Sequence, residues 1–175
     1  MARHIALLRA INVGGRTVKM DHLRALFVEL GFRNVATLIA SGNVTFDAST
    51  ADVARLESKI ERHLQARLGF LSDTFVRSQA DLQAVIAHGG FPSAKVKSAH
   101  ALWIAFLKKE PTQAAAAALL AAQCPTDEFH VHGREVYWLR RVATGESRFT
   151  GSLDKLLGMP VTARNITTVR KLAEM

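Results

Sequence analysis

The sequence has little cysteine and little proline, and it has no long hydrophobic run. Its single cysteine, Cys124, excludes an internal disulfide and fits a reducing compartment. The longest apolar runs, Ala101–Leu107 and Ala114–Ala122, are too short to span a bilayer. The N-terminal apolar run is broken by Arg9, so we expect no signal peptide. With 4 prolines and 49% apolar residues in a chain of 175, a disordered or collagen-like protein is excluded, and we expect a cytoplasmic globular protein with no membrane partner.

The charge balance is basic. Lysine and arginine outnumber aspartate and glutamate by 23 to 15, which gives a net charge of +8 at pH 7. The excess is spread over both halves of the chain and forms no run of like charge. This balance favours an anionic partner, either nucleic acid or a phosphorylated small molecule. A generic solubilising charge is the alternative explanation.

Hydrophobic periodicity predicts the order β-α-β-β-α-β in the first half of the chain. The expected strands are Ile5–Leu8, Val35–Ile39, Val44–Phe46 and Thr74–Arg77. One helix is expected to begin with Asp21 as its N-cap, and the other to be capped near Ser49 or Thr50. The first strand is apolar throughout, which predicts burial on both of its faces. A capping box at Ser78–Asp81 then opens a further helix, and Gly89–Ser98 is the best candidate for a linker.

The same order repeats in the second half. The expected strands are Ala99–Leu107, Glu128–His132, Glu135–Leu139 and Val161–Ala163. Pro111-Thr112 starts a helix through the alanine tract, and Leu153, Leu156 and Leu157 mark a short second helix. A last helix covers Thr167–Glu174. The pattern predicts two tandem α/β plaits with antiparallel sheets and helices packed on one face, an α+β fold. We place the first plait at residues 1–78, a helix and linker at 79–98, and the second plait with an appended C-terminal helix at 99–175. A single larger mixed sheet is the competing architecture.

The loop after the first strand has the composition of an anion site. Gly14 and Gly15 let the backbone approach a ligand closely, and Arg9, Arg16 and Lys19 add positive charge. The spacing is neither that of a Walker A loop nor G-x-G-x-x-G. A flexible turn with solvated arginines remains the alternative.

Two further segments carry polar residues that could join such a site. The hairpin Ser41-Gly42-Asn43 is expected at the end of a neighbouring strand, although turn chemistry alone also explains it. Near the C-terminus, the start of the last helix brings polar and basic residues together. These are Arg164, Asn165, Thr168 and Lys171. Ordinary capping on a basic helix is the alternative explanation there.

Metal and catalytic signals are weak. His130 and His132 lie on one face of a predicted strand, but no second cluster completes a metal site, so we expect no metal and no cofactor. There is no G-x-S-x-G elbow and no H-E-x-x-H. An enzyme acting on an anionic substrate stays open, with no residue that can be named as its base.

Three segments together resemble one bacterial family, domain of unknown function 1697 (DUF1697). They are Ala6–Gly15, then Gly31-Phe32 through Ser41–Phe46, and Thr162–Asn165 with Thr168-Val169 and Lys171-Leu172. The resemblance implies two tandem ferredoxin-like plaits and no established activity. It gives weight to the polar positions that match the family's motifs. These are Arg9, Asn12, Gly14, Gly15, Ser41, Gly42, Asn43, Arg164, Asn165, Thr168 and Lys171.

The sequence departs from the family pattern at two positions. Ala10 stands where glycine is usual, which makes that bend less free, and Ile166 stands where tryptophan is usual, which removes an aromatic platform. We therefore expect binding of a small phosphate-bearing molecule, such as a nucleotide or sugar phosphate, with the two motifs sharing one cleft. RNA binding through a basic surface, the enzyme above, and a structural protein without a ligand are the alternatives. We expect a monomer or a homodimer.

Overall fold

The computed structural model describes every residue from Met1 to Met175. The first of its two sheets has four antiparallel strands. The elements are β1 (Ala2–Leu8), α1 (Met20–Glu29), β2 (Arg33–Leu38), β3 (Asn43–Ala48), α2 (Val53–Leu68) and β4 (Thr74–Ser78). The strand order is β2-β3-β1-β4, and every neighbouring pair is antiparallel. This is the βαββαβ plait that the periodicity predicts.

The first core lies between this sheet and its two helices. All four side chains of Ile5–Leu8 are fully buried, as the unbroken apolar run predicts. The periodic leucines of α1 and the apolar face of α2 pack on the sheet because these positions recur every three or four residues. The helix residues in this core are Leu23, Leu26, Phe27, Leu56, Ile60 and Leu64.

Two of the predicted helix caps are wrong. Helix α1 begins one residue before Asp21, which lies in the first turn and pairs with Arg24 instead of capping. Helix α2 is capped by Asp52, whose carboxylate accepts from the Arg55 N–H at 3.0 Å, rather than by Ser49 or Thr50. A run of several good capping residues is ambiguous in sequence, because only the chain direction after β3 decides which of them reaches the helix.

Two helices follow the first plait, α3 (Gln79–His88) and α4 (Ser93–Ser98). The capping box is confirmed: the Ser78 N–H donates to the Asp81 carboxylate at 2.8 Å, and the Asp81 N–H donates to the Ser78 hydroxyl at 3.0 Å. Helix α4 occupies the second half of the linker candidate Gly89–Ser98, and the role of this segment as a linker stays a prediction. The Pro92 carbonyl accepts the first backbone hydrogen bonds of that turn.

The second sheet repeats the topology of the first. Its elements are β5 (Ala101–Phe106), α5 (Gln113–Ala121), β6 (Asp127–His132), β7 (Glu135–Arg140), a 3₁₀ turn (Thr144–Glu146), α6 (Leu153–Leu157), β8 (Thr162–Asn165) and α7 (Ile166–Glu174). The order β6-β7-β5-β8 is antiparallel throughout. Two separate sheets confirm the tandem α+β plaits and exclude the single mixed sheet.

The chain divides into two compact units. One contains Met1–Gln83 together with Lys171–Met175, and the other contains Ala84–Arg170. The second unit therefore begins within α3, and the last five residues belong to the first unit. The predicted domain ranges, 1–78 and 99–175, stay a prediction, because a compact unit is not by itself a segment that folds alone.

Candidate functional site

Asn12 fixes the shape of the loop after β1. Its carboxamide oxygen accepts from the Val18 N–H, and its nitrogen donates to the Val18 carbonyl at 3.2 Å. The same nitrogen donates to the Ala40 carbonyl at 2.7 Å, which ties this loop to the turn between β2 and β3. The Leu8 N–H also donates to the Gly42 carbonyl at 2.8 Å. The first two predicted segments are therefore adjacent at one end of the first sheet.

The glycine pair is open to a ligand. Gly14 and Gly15 have φ values of +61° and +82°, and a side chain at either would meet no atom within 4 Å. The Arg16 N–H donates to the Val13 carbonyl at 3.1 Å, which closes the bend. Both glycines are exposed, and residues other than glycine rarely adopt this backbone conformation.

The three cations of the loop differ in their partners. The Arg9 guanidinium is 3.3 Å from the Asp73 carboxylate, which neutralises part of its charge. The Arg16 guanidinium lies 4.3 Å from the centroid of the Phe70 ring, a cation–π contact that leaves its charge uncompensated. Lys19 precedes α1, is exposed, and makes no hydrogen bond or ion pair with its ammonium group. Arg16 and Lys19 are thus the two cations of this loop that are unpaired with a carboxylate.

The predicted turn residues have structural roles. Asn43 is fully buried, and its amide nitrogen donates to the Leu38 carbonyl and to the Ser41 hydroxyl, both at 2.9 Å. Gly42 has a φ of +82°, and a side chain there would come within 2.7 Å of the Ile11 side chain. Direct contact of Ser41, Gly42 or Asn43 with a ligand stays a prediction.

The C-terminal motif is mainly a set of internal contacts. Arg164 is buried, and its guanidinium donates to the Thr162 hydroxyl at 2.7 Å and to the Ala163 carbonyl at 2.9 Å. Burial lowers the pKa of Arg164 to about 10. Asn165 caps α7 by accepting from the Thr167 N–H at 2.9 Å.

The other two residues of the C-terminal motif, Thr168 and Lys171, are more accessible than Arg164. Thr168 is half-buried, and Lys171 is exposed. A ligand contact of Arg164, Asn165, Thr168 or Lys171 stays a prediction, and so does a cleft shared with the glycine loop.

A buried carboxylate in the second unit is a feature that the sequence analysis misses. Asp127 is fully buried and accepts hydrogen bonds from the hydroxyls of Thr126 and Ser147, both at 2.6 Å, and from the Trp138 ring N–H at 2.8 Å. Burial alone raises the pKa of Asp127, but these donors together with the Cys124 thiol hold the pKa below its ordinary value. Cys124 and Thr126 precede Asp127 directly, but Trp138 and Ser147 come from two other stretches of chain, so no local spacing signals the whole cluster. It anchors the segment that carries Ser147.

Three histidine rings stack in the second unit. His130 and His132 share one face of β6, and His88 at the end of α3 stacks at centroid distances of 5.3 Å and 3.8 Å from them. Burial lowers the pKa of His88, and the charges of His132 and His130 lower it further. No group of three or more histidine, cysteine, aspartate or glutamate side chains is placed to hold a metal ion. The stack is an aromatic contact, and only the fold brings His88 to it.

No helix is long and apolar enough to cross a bilayer. Fold and loops together define a protein built of two tandem α/β plaits with a polar, glycine-bearing loop after its first strand. The chain belongs to the protein family of unknown function DUF1697, whose model matches residues 1–137.

One solved structure shares this fold over nearly the whole length. It is described as the structure of conserved bacterial protein SP0830 from Streptococcus pneumoniae. The TM-score is 0.78 at 23% sequence identity, and the alignment covers 99% of this chain and 97% of the other. A comparison with curated proteins finds no match.

Proposed function

We propose that the protein binds a small phosphate-bearing molecule at the glycine loop, residues Arg9–Lys19. The observation that carries the proposal is the pair of exposed glycines with positive φ beside two cations, Arg16 and Lys19, that have no carboxylate partner. Exposed peptide N–H groups and positive charge together are what a phosphate requires. Arg9, held by Asp73, adds charge at the base of the loop.

Helix α1 supports an anion at the same place. Lys19 is its N-cap and makes no side-chain capping bond, so the first N–H groups of the helix have no side-chain acceptor. The helix dipole favours negative charge there. Asp21 in the first turn opposes this effect, but its carboxylate pairs with Arg24 at 2.9 Å.

Binding of RNA is the alternative, and the net charge of +8 favours it. Base stacking on the second sheet has little support, because Phe129 and Tyr137 are almost completely buried. The ring of Trp138 packs against Phe129 and Phe149 at centroid distances of 5.7 Å and 5.6 Å. We therefore favour a small anion over a stacked nucleic acid.

Calorimetric titration with AMP, glucose 6-phosphate and inorganic phosphate tests the proposal. We expect Arg16→Gln and Lys19→Gln each to weaken binding about 10-fold, because each removes one charge-assisted hydrogen bond. Arg62→Gln, which removes an exposed arginine from α2 of the same unit, is the matched control and should leave the affinity unchanged. Absence of binding by all three probes, or an equal loss in all three variants, contradicts the proposal.

A further inference from the structure

The second unit contains a cavity of about 430 Å³ that none of the predicted motifs explains. It lies among the end of α3, the chain leading into α4, the start of β5 and the first turns of α7. Its apolar walls are Ile86, Phe91, Val96, Leu102 and Ile166. The volume is within the usual range for sites that hold small molecules.

The cavity walls are held in place by specific contacts. The Tyr137 hydroxyl donates to the Val85 carbonyl at 2.9 Å, which fixes α3 to the sheet. The backbone of Gly90 lies against the Tyr137 ring so closely that a side chain there would come within 2.4 Å of a ring atom. The ammonium group of Lys95 bonds to the Glu128 carboxylate, which anchors α4 to β6. These contacts hold the helices that border the cavity in fixed positions.

The charge around the cavity has one sign. Lys97 and Arg170 are among its lining residues, and no aspartate or glutamate is. Neither cation makes a hydrogen bond or ion pair with its side chain. Arg170 follows Ile166 by one helical turn, so α7 presents an apolar and a cationic side chain on the same face. His88 is among the lining residues too.

We propose that this cavity binds a small organic anion, an apolar or aromatic body that carries one phosphate or carboxylate group. The body packs against the apolar walls, and the anionic group lies between Lys97 and Arg170. His88, whose ring stacks on that of His132 at a centroid distance of 3.8 Å, adds an aromatic group to the lining. This site is distinct from the glycine loop, because all of its lining residues lie between Ile86 and Arg170.

The test uses 1-naphthyl phosphate as the probe, with 1-naphthoate, neutral 1-naphthalenemethanol and inorganic phosphate as comparison arms. We expect one of the two anionic naphthyl compounds to bind at least about 10-fold more tightly than the neutral alcohol and than phosphate alone. The preference between them identifies the anionic group. We expect Lys97→Gln and Arg170→Gln each to weaken that binding about 5- to 10-fold, and Val96→Trp, which fills the cavity, to abolish it.

Three controls make the outcome decisive. Lys109→Gln removes an exposed lysine outside the cavity and should change nothing. Because 1-naphthyl phosphate can also bind at the glycine loop, Lys97→Gln and Arg170→Gln are measured in the Arg16→Gln background as well, and 1-naphthoate, which carries no phosphate, should bind Arg16→Gln as tightly as the unmodified protein. This proposal and the one for the glycine loop can then fail separately. Thermal unfolding of each variant reports whether it folds. Equal affinity for the neutral alcohol, or unchanged affinity in folded Lys97→Gln and Arg170→Gln, overturns the inference.

Discussion

At the scale of single residues, Gly42 joins two parts of the first plait. Its carbonyl accepts from the Leu8 N–H, and its α-carbon lies against the side chains of Leu8 and Ile11. The position is restricted twice, by a φ of +82° and by the lack of space for a β-carbon. A substitution here acts on the same segment that presents the glycine loop.

Gly42→Ala should lower the free energy of unfolding by about 2–4 kcal/mol, because alanine adds both left-handed strain and a steric overlap. Gly69→Ala is the matched control: Gly69 has a φ of +78° but open space around it. That variant should lose only about 1 kcal/mol, from the backbone strain alone. Urea unfolding measures both, and equal losses would contradict the packing role of Gly42.

Asp127 gives the fold a pH dependence at the acid end. Its pKa is lowered in the folded state, so the carboxylate stabilises the fold above its ordinary value of 3.8 and loses that effect as the pH falls through the lower folded value. Asp127→Asn should therefore lower the free energy of unfolding by about 2 kcal/mol at about pH 7. The difference from the unmodified protein should shrink toward about pH 2.5.

Urea unfolding across that pH range checks the prediction. Asp21→Asn removes an exposed carboxylate from the first turn of α1 and serves as the control, with little change expected at any pH. A loss for Asp127→Asn that is the same at every pH would show that the carboxylate charge is not what stabilises the cluster.

At the scale of elements, the stability of α5 depends on its N-terminal cap. Its alanine tract buries only Leu119 fully, so few side chains hold the helix to the sheet. Thr112 caps it by accepting from the Ala115 N–H at 3.1 Å. Helices with little packing depend strongly on their caps.

Thr112→Ala should lower the free energy of unfolding by about 1 kcal/mol, and Thr112→Ser, which keeps the hydroxyl, should restore most of it. Chemical denaturation of the two variants measures the difference. If serine is no better than alanine, the cap contributes through the methyl group and not through the hydrogen bond.

The elements themselves can be predicted from sequence wherever local patterns decide. Leu23, Leu26 and Phe27 repeat at helical spacing, and the Ser78–Asp81 box fixes the start of α3, so these agree with the structure. The cap of α2 and the existence of α4 could not be predicted with the same success. Both depend on where the chain goes next, which is a property of the packed fold.

The candidate site follows the same division. Its glycines and cations can be read from the sequence, because composition alone suggests an anion. The sequence could not show that Arg9 pairs with a carboxylate while Arg16 and Lys19 do not, because the partner of Arg9, Asp73, is distant in sequence. The cavity beside Arg170 is also assembled from distant segments, so no motif signals it.

At the scale of the whole molecule, net charge separates the two kinds of anionic partner. A charge of +8 spread over both halves of the chain raises the local concentration of any anion. A small phosphate at one loop displaces few counterions, whereas a nucleic acid bound across a surface displaces many.

Raising the salt from about 50 to 200 mM should therefore weaken AMP binding by less than about 10-fold. Contacts to about 6–10 phosphates of RNA would instead reduce affinity by roughly 10³–10⁵ over the same range. Titrations of AMP and of a short RNA at several salt concentrations measure both slopes. If RNA binds tightly and with a strong salt dependence while AMP does not bind, the partner of the protein is a nucleic acid and not a small anion.

The most direct test of the central claim is an NMR titration of the ¹⁵N-labelled protein with AMP, following every backbone amide. If the glycine loop is the phosphate site, the largest shift changes fall on Gly14, Gly15 and residue 16, and in Arg16→Gln the same changes need about 10-fold more AMP. If those amides stay unchanged while others move, or if none moves at millimolar AMP, the loop is not a phosphate site.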